Sequence, residues 1–519
     1  MPVIGTLLHG KYLDSVKLML LSKEVRQAPG VKDAVAIMAT SENKAILKAT
    51  GMLLPEFETA IESDICIAIS ADTLEQCQTQ IEQVKLWIEK GLPGASQTDA
   101  ADYLPRSISS ALQQLPSANL ALISVAGKYA GAEAKKALDQ GLHVMLFSDN
   151  VSLETEQKLK EIAISKDLLM MGPDCGTAII NGTPLAFANA VRSGKIGIVS
   201  AAGTGLQEVS SIIHNSGQGI SQAFGTGGRD GKNAIGGLML LFCLDYLMRD
   251  KETEVIVLIC KVPDAEVIAK LWNLLSSTTK PVVVNFLKPF YKPDMAYVYI
   301  TETLAETARK ACRLLSDAAD TLDIVSEVKE DSLFPNRTLI TLPKRASRKY
   351  LRGLFSGGTL CYEAQNIYHQ MLSGYAYSNA PLEKDFMLAD AWQSKEDTII
   401  DLGADDFTVG RPHPMIDYSL RLKKLEEESR DEDVAVLLLD VVLGYGAHLA
   451  PQDELVPVLS KIKKDTCIVL ICAVVGTDDD PQNRQQVITA LQDAGAIVTT
   501  TNAEACSLAV RIIQSLRSK

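Results

Sequence analysis

Short apolar runs alternate with amphipathic stretches along the whole chain, and this alternation predicts strands and helices in turn. Residues 3–8, 31–38 and 65–70 read as strands, while 14–24, 42–50 and 73–91 carry helical spacing. In the last of these, Leu74, Cys77, Ile81, Val84 and Ile88 fall on one face. The stretch 93–105, rich in Gly, Ala, Ser, Asp and Pro, breaks the pattern and reads as a linker. Periodicity returns near Ala118, with strands expected at 120–125, 143–147 and 168–171 and helices at 128–140 and 153–165. Strands and helices alternating through short loops are the mark of a parallel, doubly wound sheet, which binds ligands at the carboxyl ends of its strands. Those ends carry Gly127-Lys128, Ser148-Asp149-Asn150 and Gly172-Pro173-Asp174-Cys175-Gly176, with no GxGxxG, so a nicotinamide site has little support.

The run 194–210, Gly-Lys-Ile-Gly-Ile-Val-Ser-Ala-Ala-Gly-Thr-Gly-Leu-Gln-Glu-Val-Ser, joins a buried strand to a small-residue turn and then to a helix. A strand entering a glycine turn at a helix N-terminus leaves several N–H groups aimed at one spot, where an anion can be held. The run 351–363, Leu-Arg-Gly-Leu-Phe-Ser-Gly-Gly-Thr-Leu-Cys-Tyr-Glu, repeats the arrangement. The candidate anion-holding residues are Ser200, Gly203, Thr204 and Gly205 in one turn and Ser356, Gly357, Gly358 and Thr359 in the other. Turns that merely reverse the chain are the plain alternative.

Further strands are expected at 220–224, 255–259, 282–286 and 298–301, with helices at 235–248, at 265–275 and from Leu304. Between 316 and 350 charge and Pro increase and periodicity fades, as in a connector. Beyond it the chain repeats itself: 200–205 answers 356–359, 227–230 answers 409–412, 255–261 answers 434–440, 282–286 answers 467–472, and 301–308 answers 501–508. Each copy offers a glycine turn and an arginine, Arg229 or Arg411. Two copies packed pseudo-symmetrically would aim two helix N-termini at one ligand; duplication with one copy decayed is the alternative. The expected division is 1–92, a linker at 93–117, then 118–192, 193–315, a connector at 316–349, and 350–519.

Composition narrows the function classes. A chain of 519 residues is too long for one core. The formal charge of −13, without a long basic run, argues against nucleic acid or an acidic membrane surface as main partner. Ten scattered cysteines with no CxxC pair read as reduced core residues of a cytoplasmic protein, and no metal site is expected. No signal peptide is indicated, and the longest apolar run, 238–248, is interrupted by Asp245 and too short to span a bilayer. Cys175 and the histidines His9, His143, His214, His369 and His448 read as packing, loop or surface residues, leaving His413, between two prolines, as a candidate proton carrier.

Two segments then carry a resemblance. Gly-Pro-Asp-Cys-Gly-Thr at 172–177, followed by Gly-Lys-Ile-Gly-Ile-Val-Ser-Ala-Ala-Gly-Thr-Gly at 194–205, resembles the alpha subunit of succinyl-CoA synthetase over about 120–315. That subunit's CoA-binding domain ends in a Gly-Pro-Asn-Cys-Pro-Gly segment, and its ligase domain opens with a similar strand and Ser/Gly/Thr turn. More specifically, the whole chain resembles the FdrA family, through Asn-Leu-Ala-Leu-Ile-Ser-Val-Ala-Gly at 119–127, Met-Gly-Pro-Asp-Cys-Gly-Thr at 171–177, Thr-Pro-Leu-Ala-Phe-Ala-Asn at 183–189 and Val-Gly-Arg-Pro-His-Pro-Met-Ile-Asp at 409–417. The implied fold class is multidomain α/β. It comprises a small N-terminal α/β domain, a Rossmann-like domain of CoA-binding type, and two flavodoxin-like domains of succinyl-CoA-synthetase type, the last a counterpart of the beta subunit's ligase domain.

Departures from the synthetase bear on the chemistry. The synthetase carries its phosphoryl group on the histidine of a Gly-His-Ala-Gly segment, whereas the matching 287–294 here reads Leu-Lys-Pro-Phe-Tyr-Lys-Pro-Asp. No CoA-binding glycine turn, P-loop or ATP-grasp domain is recognisable, so no cofactor is carried over. The FdrA resemblance implies a subunit of an oxamate carbamoyltransferase. It would work with companion subunits in a cytoplasmic oligomer, in allantoin and purine nitrogen breakdown, converting oxalurate and phosphate to oxamate and carbamoyl phosphate. In that reading the two turns hold phosphate and the carbamoyl oxygen. Arg229 and Arg411 clamp small anions of the phosphate, oxalurate or oxamate type, and His413 shuttles a proton. A nucleotide-dependent acyl-CoA synthetase with a relocated nucleophile, and a non-catalytic scaffold or regulatory subunit, are the rivals.

Overall fold

The computed structural model describes residues 2–10, 13, 15–40, 43–44, 47–48, 51–61, 64–90, 105, 107–316, 348–408 and 412–518. Two compact units emerge: Met1–Pro105 with Ala404–His413, and Arg106–Gly403 with Pro414–Lys519. The expected connector, the greater part of the linker, and Arg411 lie outside the described residues.

In the first unit, β1 (Val3–Leu8), β2 (Val31–Met38) and β3 (Ile65–Ala71) form an antiparallel sheet in the order β1-β3-β2. The central strand is apolar on both faces because both are covered. Ile65, Ile67 and Ile69 pack with Leu18, Leu21, Val25 and Val84, while Cys66 and Ala68 pack with Leu47, Met52 and Phe57.

The second unit holds three sheets. β4 (Leu120–Ile123), β5 (His143–Leu146) and β6 (Met170–Met171) form a short parallel sheet. The hairpin β7 (Thr177–Ile180) and β8 (Thr183–Ala186), which the sequence reading groups with 118–192, instead joins the next sheet by antiparallel pairing with the strand Ile220–Gly225. Its two-residue Asn181-Gly182 loop has φ of 49° and 75°, the left-handed pair that suits a tight hairpin.

The large sheet runs β13-β12-β11-β9-β10-β7-β8, with β9 (Ser193–Ser200), β10 (Ile220–Gly225), β11 (Val255–Ile259), β12 (Val282–Asn285) and β13 (Val298–Thr301) parallel. The last sheet runs β15-β14-β16-β17-β18, all parallel, with β14 (Tyr350–Phe355), β15 (Thr398–Asp401), β16 (Val434–Val442), β17 (Val469–Val475) and β18 (Ile497–Thr499). Counted from β9 or from β14, both sheets have the same flavodoxin-like order, so the duplication read from the sequence is also a duplication of topology. In that order the first strand lies beside the third, at a topological switch point, and the loop leaving it is a natural ligand position.

The two copies share one core. Leu206, Val209 and Ile213 from the helix Gly203–Asn215 and Leu304 and Ala308 from Leu304–Leu315 belong to one apolar cluster. The same cluster includes Leu360 and Ala364 from Gly358–Leu372 and Ala505 and Ala509 from Asn502–Arg517. That common core holds the ends of the two glycine-turn helices against each other.

Candidate active site between two helix ends

Where β9 ends, Ser200 Oγ donates to Ala202 O at 2.8 Å and accepts from Ala202 N at 3.1 Å, closing a tight local turn. The helix Gly203–Asn215 follows without a side-chain cap, and so does Gly358–Leu372 after β14. Among the described residues, no acceptor takes the first-turn N–H groups of Gly203, Thr204, Gly205, Gly358, Thr359 or Leu360. The two turns meet directly. A Cβ on Gly205 would stand 2.9 Å from Thr359 Cγ2, and one on Gly357 would stand 2.7 Å from Thr204 Cγ2. Two uncapped helix ends, each with partial positive charge, thus face one region.

The turns are alike in shape and unlike in electrostatics. At the second, Ser356 N and Gly357 N each donate to Asp440 at 2.8 Å, and Ser356 Oγ donates to it at 3.0 Å. Arg421 Nη2 donates to the same carboxylate at 2.5 Å and to Leu354 O at 2.8 Å. The expectation that Ser356 and Gly357 cradle a bound anion is therefore corrected: a buried carboxylate of the chain already takes their donors. Gly358 and Thr359, one step further on, keep theirs.

Asp401, at the end of β15, closes the mouth of the second helix. Its Oδ2 would lie 2.6 Å from a Cβ on Gly358, and its Oδ1 accepts from Gly403 N at 2.9 Å. Burial pushes its carboxyl up to about 7; the Gly403 N–H and Lys261 oppose the rise, and the charge of Asp440 adds to it. Lys261 follows β11 and holds its ammonium 4.9 Å from the Tyr362 ring centre. A carboxyl poised near neutrality beside uncapped N–H groups can take or give a proton.

Glu208 and Glu363 occupy the sixth position of the two helices, and each caps a helix of the opposite copy. Glu208 Oε1 accepts from Asn502 N at 2.8 Å, and Glu363 Oε1 accepts from Leu304 N at 2.7 Å, the first residues of their helices. Asn502 Nδ2 also donates to Glu363 Oε2 at 2.8 Å. Burial raises both carboxyls above the usual glutamate range, and Glu363 raises Glu208 further. Native-state carboxyls that hold their protons tighter than the unfolded chain add stability at pH values below the unfolded value of 4.5, and that stability is lost as pH rises through the folded values. Glu208 Oε2 also lacks a hydrogen-bond partner among the described residues. Glu208→Gln should therefore flatten the fall in stability between pH 5 and pH 8 and exceed the parent at pH 8 by on the order of 1 kcal/mol. Urea midpoints at the two pH values measure it, and an unchanged slope would remove the pair as a source of pH dependence.

Of the other expected site residues, Arg229 does not join the turns. Arg229 Nη2 lies 2.7 Å from Glu156 Oε2 and donates to Val151 O at 2.8 Å. Behind it, buried Lys160 donates to Glu156, to Asp230 (each at 2.8 Å) and to Thr226 O at 2.9 Å. Asp230 in turn accepts from Leu240 N at the start of the helix Leu238–Arg249. Arg229 is thus the outer member of an ion-pair network that fixes the 226–230 loop to the helix Leu153–Ser165, which corrects its expected role as an anion clamp. His413 belongs to the unit that contains the N-terminal sheet. Cys175 is buried, donates from Sγ to Gly225 O at 3.3 Å, and has its thiol pushed up to about 12 by burial, so it packs and does not react.

Residues 354–512 match the CoA-ligase family, and residues 1–102 match the family described as AllF, heavy metal-associated domain. Over 508 residues the chain is 41% identical to uncharacterized protein YahF of Escherichia coli strain K12, covering 97% of both chains. It is also 28% identical over 155 residues to the succinate–CoA ligase [ADP-forming] subunit alpha of Aquifex aeolicus, which is 29% of this chain and 50% of that one. Among solved structures, the apo dinucleotide-forming acetyl-coenzyme A synthetase 1 of Ca. Korarchaeum cryptofilum aligns at 15% identity and a TM-score of 0.30, over 81% of this chain and 88% of that one.

Cys66 and Cys77 are both buried, and burial pushes the Cys66 thiol up to about 11. Among the described residues no group of three or more His, Cys, Asp or Glu side chains is placed to hold a metal ion. These donors do not fit a heavy-metal site. The chain belongs to the family of Escherichia coli YahF, a succinyl-CoA synthetase-like family that joins an AllF-type N-terminal domain to a CoA-ligase domain.

Proposed function

We propose that the chain is a subunit of an acyl-transferring enzyme of CoA-ligase type, whose reacting oxyanion sits between the helix ends at 203–205 and 358–360. One observation carries the reading: two uncapped helix N-termini from duplicated sheets meet, through Thr204 on Gly357 and Thr359 on Gly205, at the switch points of both sheets. Fixed N–H dipoles aimed at one point suit a phosphate, or the oxyanion formed when an acyl carbon is attacked, because no reorganisation is needed as charge develops. Asp401 supplies or removes the proton, and Lys261 adds positive charge beside it.

Within this class the CoA-ligase match directly supports formation of an acyl-CoA, with a nucleotide supplying the phosphoryl group. Carbamoyl transfer is the finer alternative, supported by the AllF-type domain and by the absence of histidine from 287–294. In that reaction a phosphate oxygen attacks the carbamoyl carbon of oxalurate and the bond to the oxamate nitrogen breaks. The nitrogen takes up a proton, leaving oxamate and carbamoyl phosphate. Both chemistries are proposed to run with companion subunits, in an oligomer and in the cytoplasm; no helix among the described residues is long and apolar enough to cross a membrane.

The test is turnover by the full chain, alone and with the products of neighbouring genes. One arm contains oxalurate and phosphate, the other a carboxylic acid, CoA and ATP. Carbamoyl phosphate made without CoA selects the finer reading, and a CoA thioester selects the ligase reading. Labelled nucleotide is expected to leave 287–294 free of acid-labile phosphate. Inactivity in both arms with all companion subunits present would favour a scaffold.

A further inference from the structure

A second charged site lies away from the helix ends, in the groove between β13 and the helix Leu304–Leu315. Glu306, Arg309, Lys310 and Arg313 are spaced three and four apart, so they share one helix face. Across the groove stand Tyr299 on β13 and Lys292 before it, and the space they enclose is about 540 Å³. That volume is within the range of small-molecule sites.

Four cations line the groove against Glu306 and, on Arg309, Glu504, and this positive excess stands out on a chain whose formal charge is −13. A solvated stripe would leave its side chains waving in water, but three of these four are held in place. Lys292 Nζ donates to Met295 O at 3.1 Å, Arg309 pairs with Glu504 at 3.0 Å, and Lys310 lies 4.4 Å from the Tyr299 ring centre. The lining carboxylate is engaged as well, since Glu306 Oε2 accepts from Glu302 N at 2.9 Å. Like charges fixed in one groove repel each other until a multivalent anion enters, and groups already positioned lose little freedom on binding.

We propose that this groove binds a small molecule carrying two or more linked phosphate groups. The phosphates lie along the Arg309–Lys310–Arg313 face, with Lys292 closing the far side. The site is independent of the acyl-transfer reading, because it shares no residue with the helix ends.

Calorimetric titration of the full chain with tripolyphosphate, ATP and citrate tests it. Saturable one-site binding of tripolyphosphate or ATP, weakening as salt rises, is expected. Binding of ATP alone would assign the nucleotide as the source, and equal binding of both would assign the phosphate chain. Lys310→Gln and Arg313→Gln should each weaken binding by roughly ten-fold, the loss of one charge-assisted contact. Lys135→Gln, on a remote helix, should leave it unchanged. Should the Lys310 variant fail to fold, the exposed Arg313 variant still decides. No saturable binding of either phosphate, tighter binding of citrate, or equal affinity in Arg313→Gln and parent would overturn the proposal.

Discussion

Asp440→Ala is expected to lower the free energy of unfolding by about 3–5 kcal/mol, the cost of stripping one partner from a buried ion pair. Asp440 is completely buried in β16, and its two oxygens take Ser356 N, Ser356 Oγ, Gly357 N and Arg421 Nη2. Arg421 is equally buried, and its Nε and Nη1 have no hydrogen-bond partner among the described residues. Without Asp440 its charge would be left with Leu354 O and the face of the Tyr418 ring, 5.8 Å away. The second glycine turn would also lose three donors' worth of anchoring. Denaturant unfolding followed by circular dichroism measures the loss. Arg421→Met in the same chain should restore much of it, because an apolar pair of similar volume removes the stranded charge. A single Asp440→Ala change costing less than about 1 kcal/mol, the range of an ordinary surface change, would mean that the carboxylate does not anchor the turn.

The same carboxylate shows where sequence reading stops. The run Val434–Val442 is legible as a buried strand, and Asp440 is visible in it as one polar residue among eight apolar ones. Periodicity assigns a face and not a partner, so nothing in the run says that Asp440 meets the turn at Ser356. The same holds for Arg229: its place after a glycine loop suggested an anion clamp, while its partner, Glu156, lies on a helix far upstream. The two turns themselves were readable, because strand, small residues and helix follow one another locally and the chain repeats the pattern. Their meeting followed from the duplication, since two copies of one topology that bury a common core place equivalent ends together.

Two further signals stand in the sequence itself. Glu208 and Glu363 stand at the same distance into their helices, and extending the comparison of the repeats by one turn finds them. The Asn181-Gly182 hairpin, between two short apolar runs, marks an antiparallel pair at the edge of the large sheet. Asp401 is different in kind. Its carboxyl near 7 arises from burial and from the charge of Asp440 on another strand, against the opposing charge of Lys261 from the other copy. Only the folded chain displays it.

The second large effect is expected at the contact between the turns. Gly357→Ala should cost about 2–4 kcal/mol of transition-state stabilisation, the range for losing one preorganised oxyanion donor, and about 1–3 kcal/mol of stability from overpacking. The new methyl would meet Thr204 Cγ2 at 2.7 Å, Oγ1 at 2.8 Å and Cβ at 2.9 Å, and real Cβ atoms do not come so close. Thr204 is the second residue of its helix, so relieving the clash moves the N–H groups of that end away from those of the other. The donors remain, but they no longer point at one place. Phosphate affinity and turnover should therefore fall together, because the ligand and the developing oxyanion use the same dipoles. Thr204→Ala removes the two nearest of those atoms and leaves only Cβ, at 2.9 Å, so the double variant should recover part of the lost stability and activity, a coupling that distant sites do not show. Both quantities are measured on the full chain with whichever acyl substrate supports turnover. Full activity in Gly357→Ala, or a double variant no better than the single, would show that the facing ends do not form the reacting site.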